Sequence, residues 1–286
     1  MEFVSCIVCH SKNSFSVIEN VLDRFSPNNN YTIQECTCGM IMLNPRPNSR
    51  EIQNYYQNKN YHPKSRSNLV FNKLYKIAQN INNKIKKRVI SKYCKEGSIL
   101  DYGGGDGQFQ NYMSNNGWNA DVYEPYLSSD ICNQKKIINM YDIKDSYYNV
   151  VTMFHSLEHI HEIDKTLEKV NNSLVSKGIL VLAIPNHDAY ERKFFGKDWI
   201  AYDVPRHLFH FNYQTVQKVL NRNQFQIIEF KPMYLDTFYN ILMSVNKNKF
   251  SSIIKIAYST LVSYLSIFKD KKKASSIMLI CKKNES

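Results

Sequence analysis

The sequence predicts an α/β fold, in which a mostly parallel sheet carries helices on both faces and follows a small cysteine-rich module. Three observations support this prediction. Short apolar runs alternate with helical patterns from residue 98 onward. Four glycines follow the first of these runs, in ILDYGGGDGQFQ at 99–110. Two close pairs of cysteines stand within residues 1–60, together with the proline-rich NPRPNS at 44–49.

Composition limits the classes of protein. A chain of 286 residues can bury a substantial core, and 43% apolar and 22% charged residues exclude disorder of the whole chain. The net charge of +12 fits an anionic partner, although lysines scattered among asparagines fit a compositional background equally well. The start, MEFVSCIVCHSKNS, lacks the pattern of a secretion signal, so we expect a cytoplasmic protein. Its seven cysteines then indicate thiols or metal ligands rather than disulfides.

The elements follow in order along the chain. A long amphipathic helix is predicted from Leu69 to about Tyr93, on apolar residues at helical spacing: Val70, Leu74, Ile77, Ile81, Ile85 and Val89. Strands are predicted at 98–102, 119–123, 136–140, 149–154 and 179–184, with helices at 108–116 and 163–175. The predicted domains are a module at 1–60, a helical linker or cap at 61–97, and a sheet domain at 98–286 with a helical insertion at about 238–273.

The glycines lie where the strand at 98–102 gives way to a helix. This is the carboxyl edge of a parallel sheet, where open α/β folds bind ligands. Glycine permits positive φ there and lets a ligand touch the backbone. The spacing D-x-G-x-G-x-G from Asp101 is not that of a phosphate loop. It also departs from the dinucleotide fingerprint, because Gln108 stands where that pattern needs its third glycine.

This spacing, with two apolar residues before the acid, resembles motif I of class I S-adenosylmethionine-dependent methyltransferases. The resemblance implies a Rossmann-like sheet with a closing antiparallel strand pair, and a cofactor whose ammonium lies near Asp101. Glu124, at the end of the next predicted strand, would accept hydrogen bonds from the ribose hydroxyls. The expected cofactor-binding residues are Asp101, Tyr102, Gly103, Gly105, Gly107, Glu124, Asp142 and Phe154.

The segment YYNVVTMFHSLEHI at 147–160 is similar to the fourth strand and the following H-x-L-E-H segment of small-molecule methyltransferases. In the deoxysugar C-methyltransferases that it resembles, the histidine of the E-H pair is the base, which corresponds to His159 with Glu158 beside it. In ubiquinone-type O-methyltransferases the matching acid and histidine hold a divalent cation, but His155 replaces the first acid of that motif. The alternative to a catalytic role is that one of these histidines only caps a helix or fills the wall of the site. The catalytic candidates are His159, Glu158, His155 and His207.

Three later segments, LVSKGILVLAIPN at 174–186, FQIIEF at 225–230 and SSIMLICKK at 275–283, resemble the fifth strand and the closing pair. The segment DVPRHLFHF at 203–211 resembles the loop that covers the substrate, with Arg206 and His207 as functional residues and Trp199 and Tyr202 as possible walls. Phe209 and Phe211 alternate with histidines, so a buried strand is the alternative.

The cysteine pairs can surround zinc tetrahedrally and stabilise a module too small for a core of its own; they are Cys6, Cys9, Cys36 and Cys38. The second pair is one residue short of the usual C-x-x-C, although Gly39 follows it. Similar modules precede sugar methyltransferases, continue into a segment like Pro45-Arg46-Pro47, and cover the substrate. That resemblance makes three tyrosines candidate lid residues: Tyr55, Tyr56 and Tyr61.

We therefore predict S-adenosylmethionine-dependent methyl transfer to a hydroxyl or carbon of a sugar, free, nucleotide-linked or within a surface glycan. The alternative acceptor is a quinone-like or other small aromatic molecule. A third hypothesis, RNA methylation guided by the zinc module and positive charge, is disfavoured because no N-P-P-Y or catalytic-cysteine motif of nucleic-acid methyltransferases is present.

The insertion carries an apolar stripe flanked by lysines, formed by Ile254, Ala257, Leu261, Leu265 and Phe268. Two interpretations are open. The stripe packs on the fold or on a second subunit, or it lies in the membrane interface, which would place the enzyme peripherally at the inner face of the membrane.

Overall fold

The structure, a computed structural model, describes residues 1–13, 15–56, 69–125, 136–137, 139–245 and 251–284. Its strands are β1 Phe15–Asp23, β2 Ser26–Cys36, β3 Ile41–Leu43, β4 Ser98–Tyr102, β5 Asn119–Tyr123, β6 Lys136–Ile137, β7 Tyr148–Phe154, β8 Leu174–Pro185, β9 Phe209–His210, β10 Phe225–Pro232 and β11 Ser276–Lys283. Its α-helices are α1 Gln53–Tyr56, α2 Leu69–Ile90, α3 Gln108–Ser114, α4 Ile163–Ser173, α5 Tyr190–Phe195, α6 Tyr213–Arg222, α7 Tyr234–Ser244 and α8 Ser251–Lys269.

The central sheet has seven strands in the order β10-β11-β8-β7-β4-β5-β6. The five neighbouring strands β8, β7, β4, β5 and β6 are parallel, and β11 is antiparallel to both β8 and β10. This confirms the predicted Rossmann-like sheet with its closing pair. The chain leaves β4 toward β5 on one side and returns to β7 on the other. The carboxyl ends of β4 and β7 therefore flank the crevice where such sheets bind ligands.

Some predicted elements differ in length. The strand predicted at 136–140 is only Lys136–Ile137, and a 3₁₀ turn follows at Met140–Asp142. In that turn Asn139 accepts a hydrogen bond from the backbone of Tyr141, which holds the turn in place of a longer strand. The helix predicted at 108–116 ends at Ser114, shortly before Gly117 with φ of +86°. Glycine in this conformation is a common end to a helix.

The N-terminal sheet has the order β1-β2-β3-β9. Strand β9 belongs to the sheet domain by sequence, but it pairs with β3 through His210 opposite Ile41 and Phe209 opposite Met42. Buried side chains of both parts, such as Met42 and Phe211, belong to one hydrophobic cluster. The N-terminal module is therefore joined to the sheet domain by backbone pairing and by a shared core.

A second hydrophobic cluster lies on the opposite face of the central sheet, where Val89 and Ile90 of α2 meet Phe109 and Met113 of α3. Helices thus cover both faces, as predicted. Among the described side chains of α2, only those near its C-terminal end are buried in this cluster. Three residues of its predicted apolar face are 44–48% exposed: Ile77, Ile81 and Ile85. The side chains of Val70 and Leu74 lie outside the described residues.

The insertion predicted at about 238–273 is a pair of helices, α7 and α8, followed by a 3₁₀ turn at Lys271–Lys273. Among the described residues, no helix combines the length and the apolar character that a membrane span requires.

Candidate functional site

The glycine loop follows β4 directly. Gly103, Gly105 and Gly107 have φ of +75°, +56° and +75°, a left-handed conformation that side chains with a Cβ rarely adopt. A Cβ at Gly103 would lie 2.5 Å from the Cβ of Ser156, so the loop also has no room for one there. The backbone that the sequence led us to expect is therefore present at all three positions.

Two acids support this loop. The Gly105 N–H donates a 3.0 Å hydrogen bond to Oε2 of Glu124, and both residues line a cavity of about 580 Å³. Asp101 is 4% exposed and accepts a 2.7 Å hydrogen bond from Oγ1 of Thr152. Burial raises the pKa of Asp101 to about 6, against the opposing effects of Thr152 and Lys86. Tyr102 and Tyr123 also line the cavity, with their ring centroids 4.7 Å apart.

Lys86 of α2 is a charged group that sequence reasoning did not single out. Its Nζ lies 3.9 Å from the ring centroid of Phe154. Burial lowers the pKa of Lys86, while Asp101 and Asp236 act to raise it. The sequence pattern could not distinguish Lys86, because it is one of several lysines between the apolar residues of α2. A cation therefore lies near the acid that precedes the glycine loop.

The other two expected cofactor residues, Phe154 and Asp142, do not line this cavity. Phe154 packs edge-on against Phe109, with ring centroids 5.1 Å apart. Asp142 is exposed in the turn that contains Met140, and Met140 lines the cavity. Roles for Phe154 and Asp142 in cofactor binding stay predictions.

His155 follows the end of β7 with φ of +54°, a conformation that non-glycine residues adopt at a cost and that is found often at functional sites. Its Nε2 lies 3.0 Å from Oδ2 of Asp236, and its Nδ1 lies 3.6 Å from Oε1 of Glu158. Burial lowers the pKa of His155, but Asp236 and Glu158 raise it more, to about 9. The two carboxylates therefore favour the protonated form of His155, and its catalytic role stays a prediction.

His159 lines the cavity at the end of a 3₁₀ turn, Leu157–His159. Its Nδ1 lies 2.9 Å from the carbonyl oxygen of Arg206 and 2.9 Å from Oη of Tyr56. A carbonyl oxygen can only accept, so Nδ1 carries the hydrogen and Nε2 is the basic nitrogen of the neutral ring. The backbone of Arg206 thus fixes the tautomer that a general base needs.

Glu158 and His207 extend this arrangement. Glu158 is 1% exposed, and its Oε1 forms an ion pair with Nδ1 of His155 at 3.6 Å, while neither carboxylate oxygen has a shorter hydrogen bond to any described residue. Nδ1 of His207 lies 2.8 Å from the carbonyl of Ala201, and burial lowers the pKa of His207 to about 4. One carboxylate oxygen of Glu158 and one nitrogen each of His159 and His207 lie within 4.8 Å of one another. The cluster is rich in acceptors, so it suits a divalent cation or a ligand with several donors.

The N-terminal module forms the opposite wall of the cavity, with Glu2, Arg46, Ser49 and Tyr56. Arg46 is 7% exposed, and its Nε donates a 2.9 Å hydrogen bond to Glu2. Its Nη1 is buried and has no hydrogen-bond partner within the described ranges. Of the three tyrosines predicted as lid residues, Tyr56 reaches His159, whereas Tyr55 accepts a hydrogen bond from Tyr31. Tyr61 lies outside the described residues.

The sequence model of a protein family described as a methyltransferase domain matches residues 74–229, more than half of the chain. The chain belongs to this methyltransferase family. It is an S-adenosylmethionine-dependent methyltransferase, and the glycine loop lies in the matched region. No curated protein sequence matches the chain.

Solved structures share the fold of this methyltransferase at low identity. An S-adenosylmethionine-dependent methyltransferase from Archaeoglobus fulgidus is 16% identical, with a TM-score of 0.50 over 76% of this chain and 100% of that chain. A 1,6-didemethyltoxoflavin-N1-methyltransferase from Burkholderia thailandensis, with bound S-adenosylhomocysteine, is 9% identical, with a TM-score of 0.50 over 86% of this chain and 96% of that chain.

Most of the segment at 203–211 of the methyltransferase is buried and has a structural role. Arg206 is fully buried, and its Nη2 donates to Asp23 at 3.0 Å and to Asp203 at 2.9 Å. Trp199 and Tyr202 are each 2% exposed and line a second cavity of about 700 Å³, apart from the one that contains the glycine loop, so their role as substrate walls stays a prediction. The buried-strand alternative holds for this segment, because Phe209 and His210 form β9. The ring of His207 packs against that of His159, with centroids 4.6 Å apart, and the Arg206 carbonyl accepts from His159, so both lie behind the histidine that lines the cavity.

The four cysteines of the module lie together. Their sulfur atoms are all within 4.8 Å of one another, with 3.4 Å between Cys6 and Cys38 and 3.4 Å between Cys9 and Cys36. None of them forms a disulfide. Around a tetrahedral Zn²⁺ with Zn–S bonds of 2.3 Å the sulfurs would be about 3.8 Å apart, which these distances approach. Gly39 closes the shorter pair with φ of +87°, and its N–H donates to the Cys36 carbonyl.

Proposed function

We propose that this methyltransferase transfers the methyl group of S-adenosylmethionine to a hydroxyl or carbon of a sugar, with His159 as the base. The observation that carries the proposal is His159, which lines the same cavity as Gly103 and Gly105 and has its Nδ1 held by the Arg206 carbonyl, with Glu158 and His207 beside it. A hydroxyl of the acceptor would donate a hydrogen bond to Nε2 of His159, and the other hydroxyls of a sugar would pair with further polar groups of the cavity wall. The cavity volume of about 580 Å³ is in the range of small-molecule sites.

The bound cofactor supplies a methyl group that its sulfonium already activates. Nε2 of His159 takes the proton of the acceptor, while the Arg206 carbonyl holds the hydrogen on Nδ1. Burial raises the pKa of Glu158, but His155, His159 and His207 lower it more, so Glu158 is anionic and stabilises the imidazolium that forms. Tyr56 contacts the same ring and limits its rotation.

Arg46 supports a phosphate-bearing form of the sugar, such as a nucleotide-linked one. Arg46 lines the cavity, and its Nη1 is buried without a hydrogen-bond partner among the described residues; rotation of the guanidinium toward the cavity would let an anion satisfy it by a charge-assisted hydrogen bond. Glu2 holds Nε of the same side chain and neutralises part of its charge. Nη1 is therefore the nitrogen to which we assign phosphate contact.

The acceptor class is tested by methyl incorporation from labelled S-adenosylmethionine into nucleoside-diphosphate sugars, the matching free sugars and a catechol. We expect turnover with a nucleoside-diphosphate sugar. Arg46→Gln should raise KM for it by roughly tenfold or more, from the loss of a charge-assisted hydrogen bond, and should leave KM for a free sugar nearly unchanged. The matched control is Arg50→Gln, an exposed arginine of the same segment. Methylation of the catechol alone would contradict the sugar proposal.

The second candidate function is O-methylation of a quinone-like acceptor on a divalent cation. The observation that favours it is that Glu158, His159 and His207 have the mutual distances of a metal-ligand set. It predicts that activity on the catechol depends on added Mg²⁺ or Mn²⁺ and that His207→Ala removes this dependence. Under the sugar proposal, added cations leave turnover unchanged.

We further propose that Cys6, Cys9, Cys36 and Cys38 hold one structural zinc ion. The sulfur distances and the tight turn at Gly39 support it. Zinc there would fix the β1–β2 hairpin and hence the wall that carries Arg46 and Tyr56.

A further inference from the structure

Helices α7 and α8 present a continuous set of large apolar side chains to solvent, which we call the hairpin face. Its members are each 45–90% exposed: Tyr234, Leu235, Phe238, Tyr239, Ile253, Ile254, Tyr258, Leu261, Leu265 and Phe268. The two helices pack on each other, since the rings of Tyr234 and Tyr264 stack with centroids 6.1 Å apart. Exposed apolar area of this extent on a folded protein marks an interaction site.

An ordinary surface helix turns its apolar stripe inward. Both helices of the hairpin turn most of their large apolar side chains outward, and each buries one isoleucine, Ile241 in α7 and Ile267 in α8. The buried positions of α8 include three serines: Ser252, Ser259 and Ser263. The buried positions of α7 include Thr237, Asn240 and Ser244. Helix α6, by contrast, buries Val216, Val219 and Leu220. Helix α6 and the hairpin thus present opposite sides to the fold.

Hydrogen bonds hold the polar side against the fold. Nδ2 of Asn240 donates to Oγ of Ser275 at 2.6 Å, and Oγ of Ser244 accepts from the Ile200 N–H at 2.8 Å. Rotating the apolar residues inward would break these buried bonds, and each broken bond would leave an unsatisfied polar group. The apolar face therefore stays outward.

Cations border the hairpin face. Lys255 lies on α8, Lys269 ends that helix, and Lys271–Lys273 follow it. On the other side Lys193 and Lys197 are exposed beside Phe194, whose ring centroid is 5.9 Å from that of Tyr258. The exposed acids in these segments are Asp198 and Asp270. Lysines thus outnumber acids around the face.

We infer that the hairpin face docks on an anionic membrane surface, with its aromatic and aliphatic side chains in the interface and the lysines at the head groups. Tyrosine, phenylalanine and leucine beside lysine are the composition of interfacial helices. A second copy fits less well, because a two-fold axis pairs a patch with itself and would bring two sets of lysines together. The inference concerns a partner and does not depend on the acceptor of the methyl group.

The test is flotation of the full chain with vesicles of phosphatidylcholine alone or with 30% phosphatidylglycerol (about a third anionic lipid), at low and physiological salt. We expect binding to the anionic vesicles that weakens with salt. Leu261→Asp with Phe268→Asp should lower the partition coefficient by about tenfold or more, since apolar burial drives insertion. Replacing the exposed Lys269 and Lys271 by glutamine should lower it by about fivefold per lysine.

Val17→Asp is the matched control, because Val17 is 59% exposed on β1 and Leu261 is 61% exposed. This variant should float like the parent chain. The substituted side chains are exposed, so each variant should fold. Circular dichroism and S-adenosylhomocysteine binding check this. Absence of flotation at low salt would overturn the inference. Sedimentation that shows a dimer dissociated by Leu261→Asp would overturn it in favour of a second copy.

Discussion

The two ends of the cavity are built in different ways. At the cofactor end, the glycine loop and Glu124 come from one strand-loop-helix-strand unit, residues 98–124. At the acceptor end, Tyr56 and His159 line the cavity and the Arg206 carbonyl holds the imidazole, so three distant segments contribute, and Nδ1 of His159 meets a tyrosine 103 residues away. The first end depends on local backbone geometry, and the second depends on how the N-terminal module packs. Variants at one end should therefore leave the other end working, as four predictions specify.

The largest effect is expected at the acceptor end. His159→Ala should lower kcat by roughly 10²–10⁴-fold, because it removes the general base. Binding of S-adenosylhomocysteine by calorimetry should remain within about twofold, which a structural role would not preserve. His161→Ala is the matched control, since His161 lines the same cavity and its Nε2 lies 2.9 Å from the Pro47 carbonyl. Undiminished turnover in His159→Ala would remove His159 from the mechanism.

Glu124→Ala should act at the cofactor end alone. Loss of the expected hydrogen bonds between Glu124 and the ribose hydroxyls should weaken S-adenosylhomocysteine binding by about 1–3 kcal/mol. KM for the acceptor should stay nearly constant. Glu162→Ala, at another acid of the cavity wall, serves as control. Unchanged cofactor affinity in Glu124→Ala would break the proposed division between the two ends.

Zinc should matter to the acceptor end through the module. Metal analysis of the purified chain should give about one zinc per chain, and Cys36→Ser should lower this content. The variant should lose roughly tenfold in kcat/KM for the acceptor, because small displacements of positioned groups cost rate. Cofactor affinity should change less. A folded, reduced protein without zinc would contradict the proposed metal site.

The smallest effect is a pH dependence of cofactor affinity. Burial raises the pKa of Asp101 to about 6, so the carboxyl is protonated below that pH and anionic above it. The cofactor ammonium favours the anionic form, so affinity should rise with pH up to about 6 and level off above it. Between pH 5 and pH 8 the gain should be about tenfold by linkage. Asp101→Asn should abolish this dependence in calorimetry. A dependence that persists would assign the titration to another group.

Local chemistry made the sheet and the loop predictable. Short apolar runs between helical patterns located β4, β5, β7 and β8. The glycine spacing predicted the positive φ values of Gly103, Gly105 and Gly107. The pairs of cysteines were also recognisable, because close ligand spacing is itself the signal. These features depend on residues that are near one another in the chain.

Long-range packing was not predictable in the same way. Periodicity indicated an apolar stripe with Leu261 and Leu265, but it cannot decide which side the fold covers, and the structure leaves both exposed. Arg206 has the residue type of a substrate ligand, yet two acids, one of them 183 residues away, bind it inside the core. The approach of Lys86 to Asp101 depends on the placement of α2.

The pairing of β3 with β9 has a consequence for biosynthesis. The first three strands of the N-terminal sheet leave the ribosome long before the fourth, and Arg206 reaches Asp23 only after a further 183 residues. Contacts so distant in sequence form late, and the edge of β3 is open until they do. The early hairpin must therefore persist without its final neighbour, and the methyltransferase region made alone would expose β9 and leave the Arg206 guanidinium without Asp23. Production of residues 61–286 alone is thus expected to yield aggregated protein.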